Sequence, residues 1–146
     1  MSSLKKFLNK KKYVKIPMKL TATSHFEVFA KINGVKGRFI LDTGASNTCV
    51  GLNLSKQFRL NTKESKIKAA GAGATDMDTR ISIKNQIKIG KWKSKKLSII
   101  LFDLVHVNQA LTAHKALPVD GIIGADVLKK AKAIIDYDKR CVYLKM

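Results

Sequence analysis

The chain has 146 residues, 45% of them hydrophobic, with 2 prolines, 9 glycines and a formal net charge of +19. That length suits one domain with a genuine core, and the composition excludes a disordered or fibrous chain. No apolar run approaches the roughly 20 residues a membrane helix needs; the longest, Leu97 to Leu104, is broken by Ser98 and Asp103, so no membrane partner is expected.

Residues 1–20 carry Lys5, Lys6, Lys10, Lys11, Lys12, Lys15 and Lys19 without an acid, and they lack the apolar core of a secretion signal. They are expected to form a basic N-terminal arm of a cytoplasmic protein, entering the fold near Val14 to Leu20. One domain is expected to follow over residues 21–146. Within it, Phe26, Val28, Ala30 and Ile32 alternate with Glu27, Phe29 and Lys31, the period of a half-buried strand. Asn33-Gly34 then offers the two left-handed positions of a tight hairpin turn.

The returning strand ends in Phe39-Ile40-Leu41-Asp42-Thr43-Gly44-Ala45-Ser46. Its apolar residues read as a strand buried on both faces, and the acid falls where that strand leaves the core. Burying an unpaired carboxylate is costly, so Asp42 is expected to carry chemistry. Next, Asn47 to Gly51 reads as a short strand, and Asn53 as the cap of a helical turn through Ser55, Gln57 and Phe58.

Ala69 to Ala74 holds small residues and two glycines, which accept positive φ at little cost, and it predicts a mobile hairpin. It is not a phosphate-cradling loop, because Gly71-Ala72-Gly73 lacks both a third glycine and a Gly-Lys-Ser/Thr ending. Ile81, Ile83, Ile87 and Ile89 alternate with Ser82, Lys84 and Lys88, predicting two half-buried strands before Gly90, with Trp92 ending the segment. Leu97 to Leu104 predicts another buried strand, and His106 to Leu117 an irregular or weakly helical connection. Ile122-Ile123 stops at Gly124, and a short helix through Leu128 and Lys130 follows. Ala133 to Tyr137 and Cys141 to Leu144 read as a terminal hairpin. Nearly every long element is a strand, which places the chain in the all-β class.

Other features argue against competing chemistries. His25, His106 and His114 show no ligand spacing, so neither a metal nor another cofactor is expected. Cys49 and Cys141 are no disulfide framework and are expected to be reduced and buried. The charge invites a nucleic-acid partner, but only Arg38, Arg59, Arg80 and Arg140 bring the guanidinium fork that base and phosphate recognition favours. The lysines are spread along the chain, so nucleic-acid binding is disfavoured against a lysine-rich solvated surface.

An apolar strand into Asp42-Thr43-Gly44-Ala45-Ser46, a glycine-bearing hairpin some way downstream, and Ile122-Ile123-Gly124 before a short helix together resemble a retropepsin-like aspartic protease, from about Phe26 to Leu144. The resemblance implies a closed all-β barrel with one short helix near the C-terminus, and hydrolysis of peptide or protein substrates. It implies catalytic roles for Asp42, Thr43 and Gly44, a substrate-binding flap at Ala70, Gly71, Ala72 and Gly73, and structural support from Ala45, Ser46, Ile123 and Gly124. With one Asp-Thr-Gly per chain, the resemblance also implies a homodimer in which two copies of Asp42 share a water. Asp120, before Gly121, is the internal alternative for a second acid. Two other classes remain: a catalytically inactive fold that binds peptides or proteins, and a basic nucleic-acid-associated module.

Overall fold

The hairpin around Asn33-Gly34 organises the structure. In the computed structural model, which describes residues 3–64 and 79–146, Asn33 and Gly34 take φ of 50° and 85°, the left-handed pair a two-residue turn requires. They join strands that follow a helix α1 (Leu4–Lys10), β1 (Tyr13–Pro17) and β2 (Lys19–Leu20); the joined pair is β3 (Phe26–Ile32) and β4 (Val35–Leu41). Then come β5 (Cys49–Gly51), β6 (Lys63–Glu64), β7 (Arg80–Ile89), β8 (Trp92–Phe102), helix α2 (Val105–Ala113), β9 (Gly121–Ile123), helix α3 (Ala125–Lys130), β10 (Ile134–Asp136) and β11 (Cys141–Lys145).

Among the described residues, β3, β4, β9, β5, β8 and β7 neighbour one another in that order, and β7 pairs back onto β3, closing a barrel. Inward-facing Val28, Ile32, Phe39, Val50, Ile87, Ile99 and Leu101 fill it. Asn33 fastens the closure as well as making the turn. Its amide Nδ2 donates to Asn85 Oδ1 at 3.0 Å and to the Phe58 carbonyl at 2.9 Å, and its Oδ1 accepts the Gln86 N–H at 3.0 Å. α2 lies outside the barrel, where Leu111 packs on Ile40 and Val119. The Asn108 side chain exchanges two hydrogen bonds with the Val119 backbone, fixing the approach to β9.

Several sequence expectations need correction. Ile81 to Ile89 is one strand rather than two. A bulge near Asn85, with Lys84 at φ 59°, inverts its phase, so Ser82 is buried while Ile83 is 47% exposed. A bulge adds a residue on one strand only and so breaks strict alternation. Trp92 begins β8 instead of ending a segment. The stretch holding His106 is the regular helix α2, whose first N–H is taken by Asp103 Oδ1 at 2.9 Å. Asn53 lies inside a 3-10 turn, Leu52–Leu54, that starts from Gly51; it does not cap. Helices therefore occur in the chain besides α3 near the C-terminus. The basic segment at the start is folded: α1 is capped by Ser3, and β1 pairs antiparallel with β11 beside β10.

Candidate active site

The site grows from the parallel pairing of β4 with β9, in which Leu41 opposes Ile123. Asp42 extends that ladder by one bond, its N–H donating to the Ile123 carbonyl at 2.9 Å. The chain then turns back: Ala45 N–H reaches the Asp42 carbonyl at 3.2 Å, and Gly44 N–H donates to Asp42 Oδ1 at 2.8 Å. This Asx turn fixes one carboxylate oxygen. Asp42, Thr43, Gly44 and Ser46 are exposed and Ala45 is half-buried. The expectation of a buried acid is therefore corrected: apolar packing ends at Leu41, and the carboxylate projects from the end of the barrel. Thr43 makes no side-chain hydrogen bond among the described residues.

Gly124 binds the second loop to the first. A Cβ there would lie 2.6 Å from the Ala45 carbonyl oxygen and 2.8 Å from that of Asn47, so only glycine lets the two backbones approach so closely. Next to it, Ala125 N–H donates to the Ala45 carbonyl at 2.7 Å. The structure thus brings Asp42, Gly44, Ala45, Ile123 and Gly124 together from segments about 80 residues apart in sequence. Ile123 itself is fully buried in the barrel core.

Two residues that sequence reasoning did not single out hold the loops together. The Asp126 carboxylate accepts the Thr48 N–H at 3.0 Å on Oδ2 and the Thr48 hydroxyl at 2.8 Å on Oδ1. Thr48 Oγ1 in turn accepts the Gly124 N–H at 3.1 Å, and Asp126 Oδ1 also takes the Val127 N–H at 2.8 Å. An acid two residues after Gly124 and a Thr six residues after Asp42 were visible, but nothing local marks them as partners. Beside them Cys49 donates its thiol to the Asn47 carbonyl at 3.2 Å. Burial first, then the Asp126 and Asp42 carboxylates, push that thiol up to about 12, which keeps it protonated and unreactive.

Asp120 does not join the site. Its Oδ2 accepts the Arg38 N–H at 2.9 Å. Arg38 lies four residues before Asp42 on an extended strand, about 13 Å away. Among the described residues no group of three or more His, Cys, Asp or Glu could hold a metal ion, and no helix is long and apolar enough to cross a membrane.

Ala70, Gly71, Ala72 and Gly73 lie outside the described residues. The flanks of that segment are placed: β6 pairs antiparallel with β7, Lys63 opposite Ile81 and Glu64 opposite Arg80. The Arg80 guanidinium clamps this base, Nε donating to Thr62 Oγ1 at 2.8 Å and Nη2 to the Thr62 carbonyl at 3.2 Å.

Comparison with known proteins gives a consistent assignment. A family model described as aspartyl protease matches residues 28–127, whereas no curated protein sequence matches. Among solved structures, a retropepsin-like aspartic protease from Rickettsia conorii superposes with a TM-score of 0.59 at 20% identity, covering 90% of this chain and 87% of that one. The EIAV protease complexed with the inhibitor HBY-793 gives 0.55 at 18% identity, with 75% and 90% covered. The retroviral protease-like domain of Ddi1 from Leishmania major gives 0.57 at 16% identity, with 86% and 90% covered. The barrel is thus of the retropepsin-like fold.

Proposed function

The chain belongs to the aspartyl protease family, and from that membership we propose that it is an aspartic endopeptidase acting as a homodimer, with Asp42 of two copies sharing one water. The observation that carries this reading is the placement of Asp42. An exposed carboxylate stands at the end of a buried strand, with one oxygen held by Gly44 N–H and its backbone tied to Ile123.

A single carboxylate is not enough for the chemistry. One ionised group must take a proton from water while a protonated one donates to the scissile carbonyl oxygen. The water oxygen then bonds to the carbonyl carbon. Collapse of the tetrahedral intermediate breaks the C–N bond as the amine nitrogen receives a proton. Two carboxylates at close range share one proton and titrate as a pair. Among the described residues the acids flanking β9 are committed elsewhere, Asp120 to Arg38 and Asp126 to Thr48, which favours a second copy of the chain as the source of the other acid.

In this reading Gly44 N–H orients the Asp42 carboxylate and Thr43 stands free to engage the facing loop. Ala45, Ser46, Ile123 and Gly124 support the pair from behind. Residues 70–73 would cover an extended peptide and offer it backbone hydrogen bonds. The unpaired, buried thiols Cys49 and Cys141 suit a reducing compartment such as the cytoplasm.

Asp42→Asn is the test. Asn keeps an acceptor for Gly44 N–H, and the site is exposed, so the melting temperature should stay within about 2 °C of wild type while cleavage of a peptide library disappears. A variant that still cleaves at the wild-type rate would refute the assignment.

A further inference from the structure

Barrel closure gathers lysines that lie far apart in the sequence. Lys36 opposes Lys31 across β4 and β3, Lys31 opposes Lys88 across β3 and β7, and Lys88 opposes Lys93 across β7 and β8. Four exposed lysines therefore form a row over four adjacent strands that follows the curve of the barrel, about 4.8 Å per step and about 14 Å along the sheet surface. Directly opposed like charges destabilise a sheet, and here three such pairs follow in succession. Among the described residues none of the four has an acidic partner; the ion pairs there are Arg38 with Glu27 and Lys139 with Asp138.

Two neighbours along the strands flank the row. Phe29, on the same face and 52% exposed, carries Lys36 Nζ at 4.4 Å and the Arg38 guanidinium at 5.6 Å from its ring centroid. On the other side the turn between β7 and β8 brings Lys91 into a groove of about 350 Å³, lined also by Lys5, Lys12, Lys15 and Tyr13. Lys36 is six residues before Asp42 on β4, about 20 Å away, so this surface lies at the other end of the barrel from the candidate active site.

We propose that the Lys36, Lys31, Lys88 and Lys93 row with Phe29 is a docking surface for the phosphodiester backbone of a single-stranded nucleic acid. A line of uncompensated point charges suits a linear polyanion, whose binding releases condensed counterions. The Arg38 guanidinium beside the row is held by Glu27 at 2.8 Å, and lysine alone gives no fork for base readout, so the binding is independent of sequence. The half-exposed Phe29 ring, once Lys36 turns from it to a phosphate, offers a base a stacking face of the kind such surfaces use. A membrane surface fits less well, because a peripheral helix or sheet anchors through a broad apolar face, and Phe29 is a single ring among cations. The proposal stands apart from the peptidase reading and survives or fails independently of it.

The test is fluorescence anisotropy of fluorescein-labelled oligothymidylate with the full chain, over about 50 to about 300 mM NaCl. Replacing Lys31, Lys36, Lys88 and Lys93 together by Gln should flatten the plot of log affinity against log salt by about 2.8, which is about 0.7 per lysine, and weaken binding about a hundredfold at ~0.1 M salt. Arg at the same four positions should retain binding, and the Gln variant should melt no lower than wild type because opposed like charges are removed. Phe29→Ala should cost about tenfold with the salt slope unchanged. An equal loss on replacing Lys56, Lys115, Lys129 and Lys130 by Gln would reduce the effect to diffuse charge and overturn the proposal. Unchanged affinity of Phe29→Ala, or preference for phosphatidylserine vesicles over the oligonucleotide, would overturn it too.

Discussion

Removing the Asp126 carboxylate should unfasten the two loops that frame Asp42. Thr48 is fully buried, and Asp126→Ala leaves both its N–H and its hydroxyl proton without their acceptor. An orphaned buried donor costs about 1–3 kcal/mol, and loss of an acid from the start of α3 adds about 0.3–1 kcal/mol. Taking the low end for each of the two donors, the sum is about 3 kcal/mol. For a chain of this size that lowers the melting temperature by about 10 °C. Asp126→Asn keeps one acceptor but aims an amide at a donor, so about half of that loss should remain. Thr48→Val orphans the Gly124 N–H and should cost about 1–2 kcal/mol. Combined with Asp126→Ala it should be clearly less than additive, because both changes break one network. Circular dichroism melts at neutral pH read all four variants, and peptide cleavage should fall in parallel. If Asp126→Ala melts within about 2 °C of wild type, or the double variant is strictly additive, the network does not hold the loops.

Two further predictions follow from the same region. Gly124→Ala drives a methyl into the carbonyls of Ala45 and Asn47, and because both obstacles are backbone the loops must separate; a loss of about 2–4 kcal/mol with severe loss of cleavage is expected, and wild-type stability would contradict the close approach. The Cys49 thiol ionises near its ordinary value when unfolded but is pushed up to about 12 in the fold. Above pH about 9 the unfolded chain therefore holds fewer protons than the native one, and stability falls as pH rises toward 12, by up to about 1.4 kcal/mol per unit. Cys49→Ala should flatten that decline in melts from pH about 8 to about 11; an equally steep decline would show that other groups cause it.

Local chemistry was the legible part of the sequence. Asn33-Gly34 specified its turn because left-handed φ is a property of those two residues, and the apolar run into Asp42 located a strand end. Ile122-Ile123-Gly124 likewise marked a buried strand stopped before a helix. What could not be read depended on distant partners. The bulge at Asn85 answers to Ser82, Leu97 and Asn33, so a strictly alternating reading of Ile81 to Ile89 misplaced Ile83. The exposure of Asp42 follows from where β9 ends beside β4, a pairing between segments far apart in the chain. Thr48 with Asp126 and the lysine row are hidden for the same reason: their members meet only once the barrel closes. The short helix α2 was legible only as an irregular or weakly helical stretch because its residues carry no acidic first turn and little amphipathic contrast.

The shared site is tested most directly by mixing wild type with the Asp42→Asn variant, allowing subunits to exchange, and measuring peptide cleavage per wild-type subunit. If each active centre needs Asp42 from two copies, random pairing halves that activity at equal concentrations and lowers it to about one-tenth at about a ninefold excess of the variant. Activity per wild-type subunit that stays constant across the mixing series would contradict the shared pair and place a complete site within one chain.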